Sequence, residues 1–245
     1  MDSFNRLVDI VRVLMGENGC PWDKVQTHES LKPCMLEECY EVLDAIDTKN
    51  TENLREELGD VLLQVVFHGL IAQKEGEFSL DDAIDGVSDK MISRHPHIFG
   101  PENSEVTASY EKWEEIKKRE KGYTTRSEAM RSIAKAMPAL VRGQKVLKKR
   151  GLEKMQNIDS FADNAALCLK NLKQSDFTNK DYNMEIIGNL LLQILNISNF
   201  FEINAEFSLT NALETYITKF EDFENNSAAV GKTIEDTGLE EADLF

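Results

Sequence analysis

Two short acidic clusters carry the chemistry of this chain. The first is Leu36-Glu37-Glu38-Cys39-Tyr40-Glu41 and the second is Glu56-Glu57-Leu58-Gly59-Asp60. Glu38 and Glu41 are three apart, as are Glu57 and Asp60, so each pair shares one face of a helix. The polar stretch Asp47–Thr51 between them is short, which makes the two helices antiparallel neighbours. Four carboxylates then meet around one volume. Two unit charges about 4 Å apart repel by roughly 4 kcal/mol at an effective dielectric of about 20, so the set calls for protons or a cation. Oxygen donors suit a hard divalent ion, Mg²⁺ before Ca²⁺ or Mn²⁺.

A Glu-rich helix is ordinarily a solvated face, and a lone Glu-Glu-x-x-Glu means no more than that. Here a second acidic pair lies on the adjoining helix, and both are flanked by apolar residues at helical spacing. Leu54, Leu58, Val61, Leu62 and Val65 form one such set; Leu36, Cys39, Leu43 and Ile46 form the other. The acids are therefore expected at the border of the seam between the helices. A di-iron bundle would need Glu-x-x-His. His28, His68, His95 and His97 follow Val25, Val65, Ile92 and Arg94 at that spacing, so the motif is missing.

The elements that position these acids follow from composition. Helix formers dominate the 245 residues and Pro occurs five times, so an all-α class is expected. Cys20, Cys34, Cys39 and Cys168 show no Cys-x-x-Cys spacing and read as reduced thiols of a cytoplasmic protein. Charged residues interrupt the apolar positions of Met1–Met15, which argues against a signal peptide. Val61–Ala72 is too short to span a bilayer, so no membrane partner is expected. The net charge is −16, and the first 120 residues hold 26 Asp+Glu against 13 Lys+Arg. Such a surface is poorly suited to non-specific nucleic-acid binding, which neutralises phosphates.

Taken in order, a helix over Ser3–Met15 ends near Gly16, and the rigid loop Gly19-Cys20-Pro21-Trp22-Asp23 follows. Trp22 can be either a packing plug or a ligand-stacking residue. The acidic helices span about Leu31–Asp47 and Glu52–Lys74, with Thr51 as N-cap of the second and Gly76 as its end. Ser79 caps a further helix that runs to Arg94, with Lys90 and Arg94 on one face; these cations could hold phosphate oxygens. His95-Pro96-His97 stops that helix, and a loop role is favoured over metal binding there. Glu105–Lys121 reads as a charged helix carrying Trp113 and Lys117, and a domain boundary falls near residue 123.

The second half repeats the first. At a constant offset, Gly59–Lys90 lies over Gly188–Lys219 without a gap, and Gly59, Leu62, Leu63, Gln64, Glu77, Phe78, Ser79, Leu80, Ala83 and Lys90 are all matched. The acids are lost: Glu57 becomes Ile186, Asp60 becomes Asn189 and Arg94 becomes Phe223. The helix near Phe161–Lys173, which matches the first cluster, has no Glu. One copy kept the chemistry and the other the packing. The expected organisation is a catalytic helical domain over 1–122 and a degenerate one over 123–245.

These motifs together resemble the MazG family of nucleoside triphosphate pyrophosphohydrolases in its tandem-domain form. The likeness rests on Gly19-Cys20-Pro21-Trp22-Asp23, Leu36-Glu37-Glu38 with Glu41, Arg55-Glu56-Glu57-Leu58-Gly59-Asp60, and Asp89-Lys90 with Arg94-His95-Pro96-His97-Ile98-Phe99-Gly100. It implies an all-α bundle completed by a second copy as a homodimer. Glu38, Glu41, Glu57 and Asp60 would ligate Mg²⁺, with Mn²⁺ a possible substitute, and Glu37 would orient water or ligands beside them. Lys90 and Arg94 would contact the triphosphate, Trp113 and Lys117 the base or phosphates, and Trp22 and Asp23 would border the nucleotide. The implied reaction is Mg²⁺-dependent cleavage between the α- and β-phosphates, giving a nucleoside monophosphate and pyrophosphate. No P-loop is visible to support cleavage between β and γ. The rival reading is a non-catalytic nucleotide-binding protein with a regulatory or assembly role.

Overall fold

The computed structural model describes residues 2–100, 117, 119–151, 157–231 and 233. Among them every regular element is helical. The chain divides into two compact units, Met1–Ile116 and Lys117–Phe245.

In the first unit, α1 spans Ser3–Leu14, α2 Lys32–Asp47, α3 Thr51–Glu75, α4 Leu80–Arg94 and the single turn α5 Pro96–Phe99. Each start has a local cause. The Asp2 carboxylate accepts the Asn5 N–H at 2.8 Å, and Pro33 lies in the opening turn of α2, where its missing N–H leaves no gap. The cap of α3 is Asn50, one residue before the expected Thr51; its side-chain oxygen accepts the Asn53 N–H at 3.1 Å. Gly76 ends α3 with φ of 75°, a conformation that glycine adopts without a Cβ clash. Ser79 and Asp82 then form a reciprocal capping box on α4.

The core gathers Val8 and Val11 of α1, Leu31, the α3 residues Val66, Phe67, Leu70 and Ile71, and Leu80 of α4. It therefore sits on the second half of α3. Gly69 is needed there, because a Cβ would come within 2.7 Å of the Leu80 side chain. Gly19 is equally constrained: a Cβ would meet the Leu14 carbonyl oxygen at 2.1 Å. The first residue of the Gly-Cys-Pro-Trp-Asp loop is thus a packing requirement at the end of α1.

The other half of α3 pairs with α2 beyond this core. The apolar seam expected there is only partly closed. Ala45 is buried, whereas Leu36, Leu43, Ile46, Leu58, Leu62 and Val65 remain exposed. The two helices pack on each other along one line, and these residues lie on the flanks of that contact.

In the second unit, α6 spans Arg126–Arg131, α7 Ala139–Lys149, α8 Ile158–Gln174, α9 Lys180–Phe200 and α10 Ala205–Ala229. The α8–α9 pair mirrors α2–α3, and α7 packs on α9 as α1 does on α3. The turn after α9 differs from its counterpart. It bends at Glu202, with φ of 57°, and Asn204 caps α10 through the Glu206 and Phe207 N–H groups. Ser208, which aligns with the capping Ser79, is instead inside α10 and donates to the Asn204 carbonyl at 2.9 Å. The buried Gln144 of α7 secures the bend. Its amide donates to the Ile203 carbonyl at 2.8 Å and accepts the Ala205 N–H at 2.9 Å.

Among the described residues no single helix is long and apolar enough to cross a membrane.

Candidate metal centre

The α2–α3 hairpin turns through Lys49, which takes a left-handed conformation with φ of 56°. Its N–H and that of Asn50 bond to the Ile46 and Ala45 carbonyls at 3.1 and 3.0 Å. This tight reversal sets the register of the acids. Glu38 meets Gln64, and Glu41 meets Glu57, as antiparallel helices require.

Glu38, Glu41 and Glu57 each bring one carboxylate oxygen within 4.8 Å of the others. The charge of Asp60 acts on both Glu38 and Glu57. Desolvation, followed by the charges of Asp60 and Glu41, raises the Glu38 carboxyl above its ordinary value of 4.5. Desolvation, followed by the charges of Glu41, Asp60 and Glu56, does the same to Glu57. Among the described residues no cationic group offsets either shift. Raised acids without a countercharge mark a site that takes up either protons or a cation.

Gln64 was not singled out by its chemistry in the sequence, yet it borders this cluster. Only 7% exposed, it reaches the Glu38 carboxylate with its amide nitrogen at 3.5 Å. Its Oε1 is buried without a partner. An orphaned acceptor beside converging carboxylates suits a water held by a cation. The signal available was a Gln kept within an apolar helix in both repeats. All donors are oxygens, so the set fits a hard divalent ion.

The other expected site residues are placed as follows. Glu37 is exposed on α2, where it lines a shallow open depression with Pro33, Leu36, Tyr40, Glu41 and Asp44. Trp22 is 58% exposed. Asp23 opens a 3-10 turn, Asp23–Val25, directly after it. Lys90 is exposed and Arg94 half-buried on α4. The structure brings neither into an ion pair with the four acids among the described residues. Lys117 belongs to the second unit. Trp113 and most of the expected Glu105–Lys121 helix lie outside the described residues. His95 and His97 stand with ring centroids 5.7 Å apart and tilted, and His95 Nδ1 contacts the Met91 carbonyl at 2.6 Å, a helix-end role. In the second unit Ile186, at the place of Glu57, is 7% exposed and packed inside.

Residues 26–99 match the MazG nucleotide pyrophosphohydrolase domain. Among curated proteins, the chain is 37% identical to the nucleoside triphosphate pyrophosphohydrolase/pyrophosphatase MazG of Thermotoga maritima, over 99% of the chain and 93% of that protein. It is 35% identical to a nucleoside triphosphate pyrophosphohydrolase of Escherichia coli K12, over 98% and 93% respectively. An uncharacterized Bacillus subtilis protein, YabN, is 37% identical over 98% of the chain; the chain spans half the length of that relative.

Proposed function

The chain belongs to the MazG family of nucleotide pyrophosphohydrolases, and from that premise we propose that its first unit hydrolyses nucleoside triphosphates between the α- and β-phosphates. The observation that carries this reading is the convergence of Glu38, Glu41 and Glu57 with no countercharge among the described residues. In this reading Glu38, Glu41, Glu57 and Asp60 hold Mg²⁺, for which Mn²⁺ can substitute. The bound metal neutralises phosphate charge and makes a coordinated water more acidic. Gln64 Oε1 accepts a hydrogen bond from water at the inner edge of the site. Glu37 orients water at the outer edge. Water adds across the α–β linkage, and a nucleoside monophosphate and pyrophosphate leave.

Lys90 and Arg94 supply positive charge for the triphosphate. The exposed Trp22 indole offers a stacking face to the base, with Asp23 beside it. Trp113 and Lys117 are proposed contacts from the segment that follows. The second unit contributes packing, since an apolar residue occupies the place of Glu57.

A homodimer is part of the same proposal. Leu36, Leu43, Leu58 and Leu62 flank the acids and are exposed; two such hairpins packed together would form a four-helix bundle. The four free cysteines suit a reducing cytoplasm.

The test is release of pyrophosphate from mixed nucleoside triphosphates with Mg²⁺, comparing wild type with Glu57→Gln. Product identification should show monophosphate and pyrophosphate in wild type alone. Equal release by both proteins, or orthophosphate as the product, would reject the assignment.

A further inference from the structure

A second group of potential ligands lies at the far end of α3. His28, Glu75 and Glu77 each bring one ligand atom within 4.8 Å of the others. Glu75 is the last residue of α3 and Glu57 is in its second turn, so the two sites are separated by roughly 27 Å at about 1.5 Å per residue. The acid cluster therefore does not include this group.

Two separate pieces of chain supply it. The segment before α2 folds on itself, Thr27 N–H donating to the Ser30 hydroxyl at 2.9 Å and Ser30 N–H to the Thr27 hydroxyl at 3.1 Å. That turn presents His28. The left-handed Gly76 reverses the chain, and the Glu77 N–H bonds back to the Ala72 carbonyl at 3.0 Å. Glu77 is thereby returned beside Glu75. Both carboxylates stand at the negative end of the α3 dipole, which disfavours anions. Neither forms an ion pair with Lys or Arg among the described residues.

The imidazole is held from behind. His28 Nδ1 lies 2.7 Å from His68 Nδ1, and the rings meet edge to edge with centroids 5.0 Å apart and planes within 3° of parallel. One ring donates and the other accepts. With His28 Nδ1–H as the donor, its Nε2 lone pair is free for a ligand, the arrangement that fixes ring orientation in metal sites.

We propose that His28, Glu75 and Glu77 form a second cation site, selective for a borderline divalent ion such as Zn²⁺ over Mg²⁺, with His68 as the residue that positions the His28 ring. One nitrogen and two carboxylate oxygens complete three of four zinc positions, and water takes the fourth. The hard acid cluster prefers Mg²⁺, whereas an imidazole ligand shifts preference toward zinc. An ion here ties the segment before α2 to the end of α3.

The experiment titrates Zn²⁺ into the full-length, metal-free protein by calorimetry with millimolar Mg²⁺ present to occupy the acid cluster. Co²⁺ absorption provides a second readout of a nitrogen ligand. Wild type and Glu57→Gln should each bind one Zn²⁺ with the same affinity. Glu77→Gln and His28→Gln should weaken it by about tenfold or more, and His68→Ala by about tenfold through the loosened ring. Glu77→Gln alters an exposed side chain, so a native circular dichroism spectrum is expected and keeps its result interpretable. Zinc affinity unchanged in Glu77→Gln, or lost in Glu57→Gln, would overturn the proposal. The latter outcome would place zinc in the acid cluster and would leave the assignment of that cluster standing.

Discussion

Glu41 on α2 and Glu57 on α3 bring carboxylate oxygens within 4.8 Å of each other across the hairpin. After desolvation, the Glu41 charge is the largest influence raising the Glu57 carboxyl, and a bound cation would relieve that repulsion. Replacing Glu57 with Gln should lower pyrophosphate release by about a hundredfold or more, since even outer-shell losses at metal sites reduce function 10–100-fold. The same change should raise the melting temperature of the metal-free protein. Calorimetry in EDTA, run beside the activity assay, checks both directions. A fall in melting temperature would show that Glu57 is held by favourable contacts.

The metal-free protein should also respond to pH at this site. Glu38 and Glu57 have folded values raised above 4.5, so the folded state binds their protons more readily than the unfolded chain. The stability contributed by protonation is complete below 4.5 and disappears as pH rises through the raised values. Between those limits, acidification should stabilise wild type relative to Glu57→Gln. Denaturant titrations at several pH values, with EDTA, measure the difference. Parallel profiles would contradict the coupling, and millimolar Mg²⁺ in place of EDTA should reverse the trend, because a bound cation favours the ionised acids.

The helical layout was largely legible in sequence because local signals agreed with packing. Pro33, Gly76 and Ser79 act where their chemistry implies, and the acidic helices end within a residue or two of their expected limits. The exposure of Leu36, Leu58 and Leu62 was not legible, because apolar periodicity marks a face for burial without saying which partner covers it. The second repeat departs from the first in a way that identity does not reveal. Ser208 keeps the identity of Ser79, but the bend moved to Glu202 and Asn204 took over as cap. Gln64 stayed inconspicuous because a single polar residue in an apolar run carries no motif.

Ser79 and Ser208 therefore make a controlled pair. Ser79→Ala removes a cap and should destabilise by about 1 kcal/mol. Ser208→Ala removes only a bond to the Asn204 carbonyl within a helix, and should change stability by less than about 0.5 kcal/mol. Urea denaturation of the two variants distinguishes them, and equal losses would contradict the difference in role.

Gly69 of α3 packs against Leu80 of α4. Gly69→Ala pushes a methyl toward the Leu80 side chain, 2.7 Å from Cδ1 and 3.2 Å from Cβ. Overpacking of this kind should destabilise by about 1–3 kcal/mol. Adding Leu80→Val should recover part of the loss, measured as a double-mutant cycle; purely additive effects would mean that the two residues do not compete for space.

Lys219 matches Lys90 in the repeat but has no acid cluster among the described residues of its own unit. Lys219→Ala should leave turnover within about twofold of wild type, whereas Lys90→Ala should reduce it by about tenfold or more, as expected for a group that stabilises growing charge. Steady-state kinetics decide this, and a large loss in a folded Lys219→Ala protein would assign chemistry to the second unit.

The core of the first unit rests on the latter half of α3, while the acids occupy the hairpin beyond it. Drift at the acidic positions can therefore proceed without endangering the scaffold. A duplicated gene could shed catalysis in one copy and still encode a well-packed product, leaving a spare surface on which selection can act afresh.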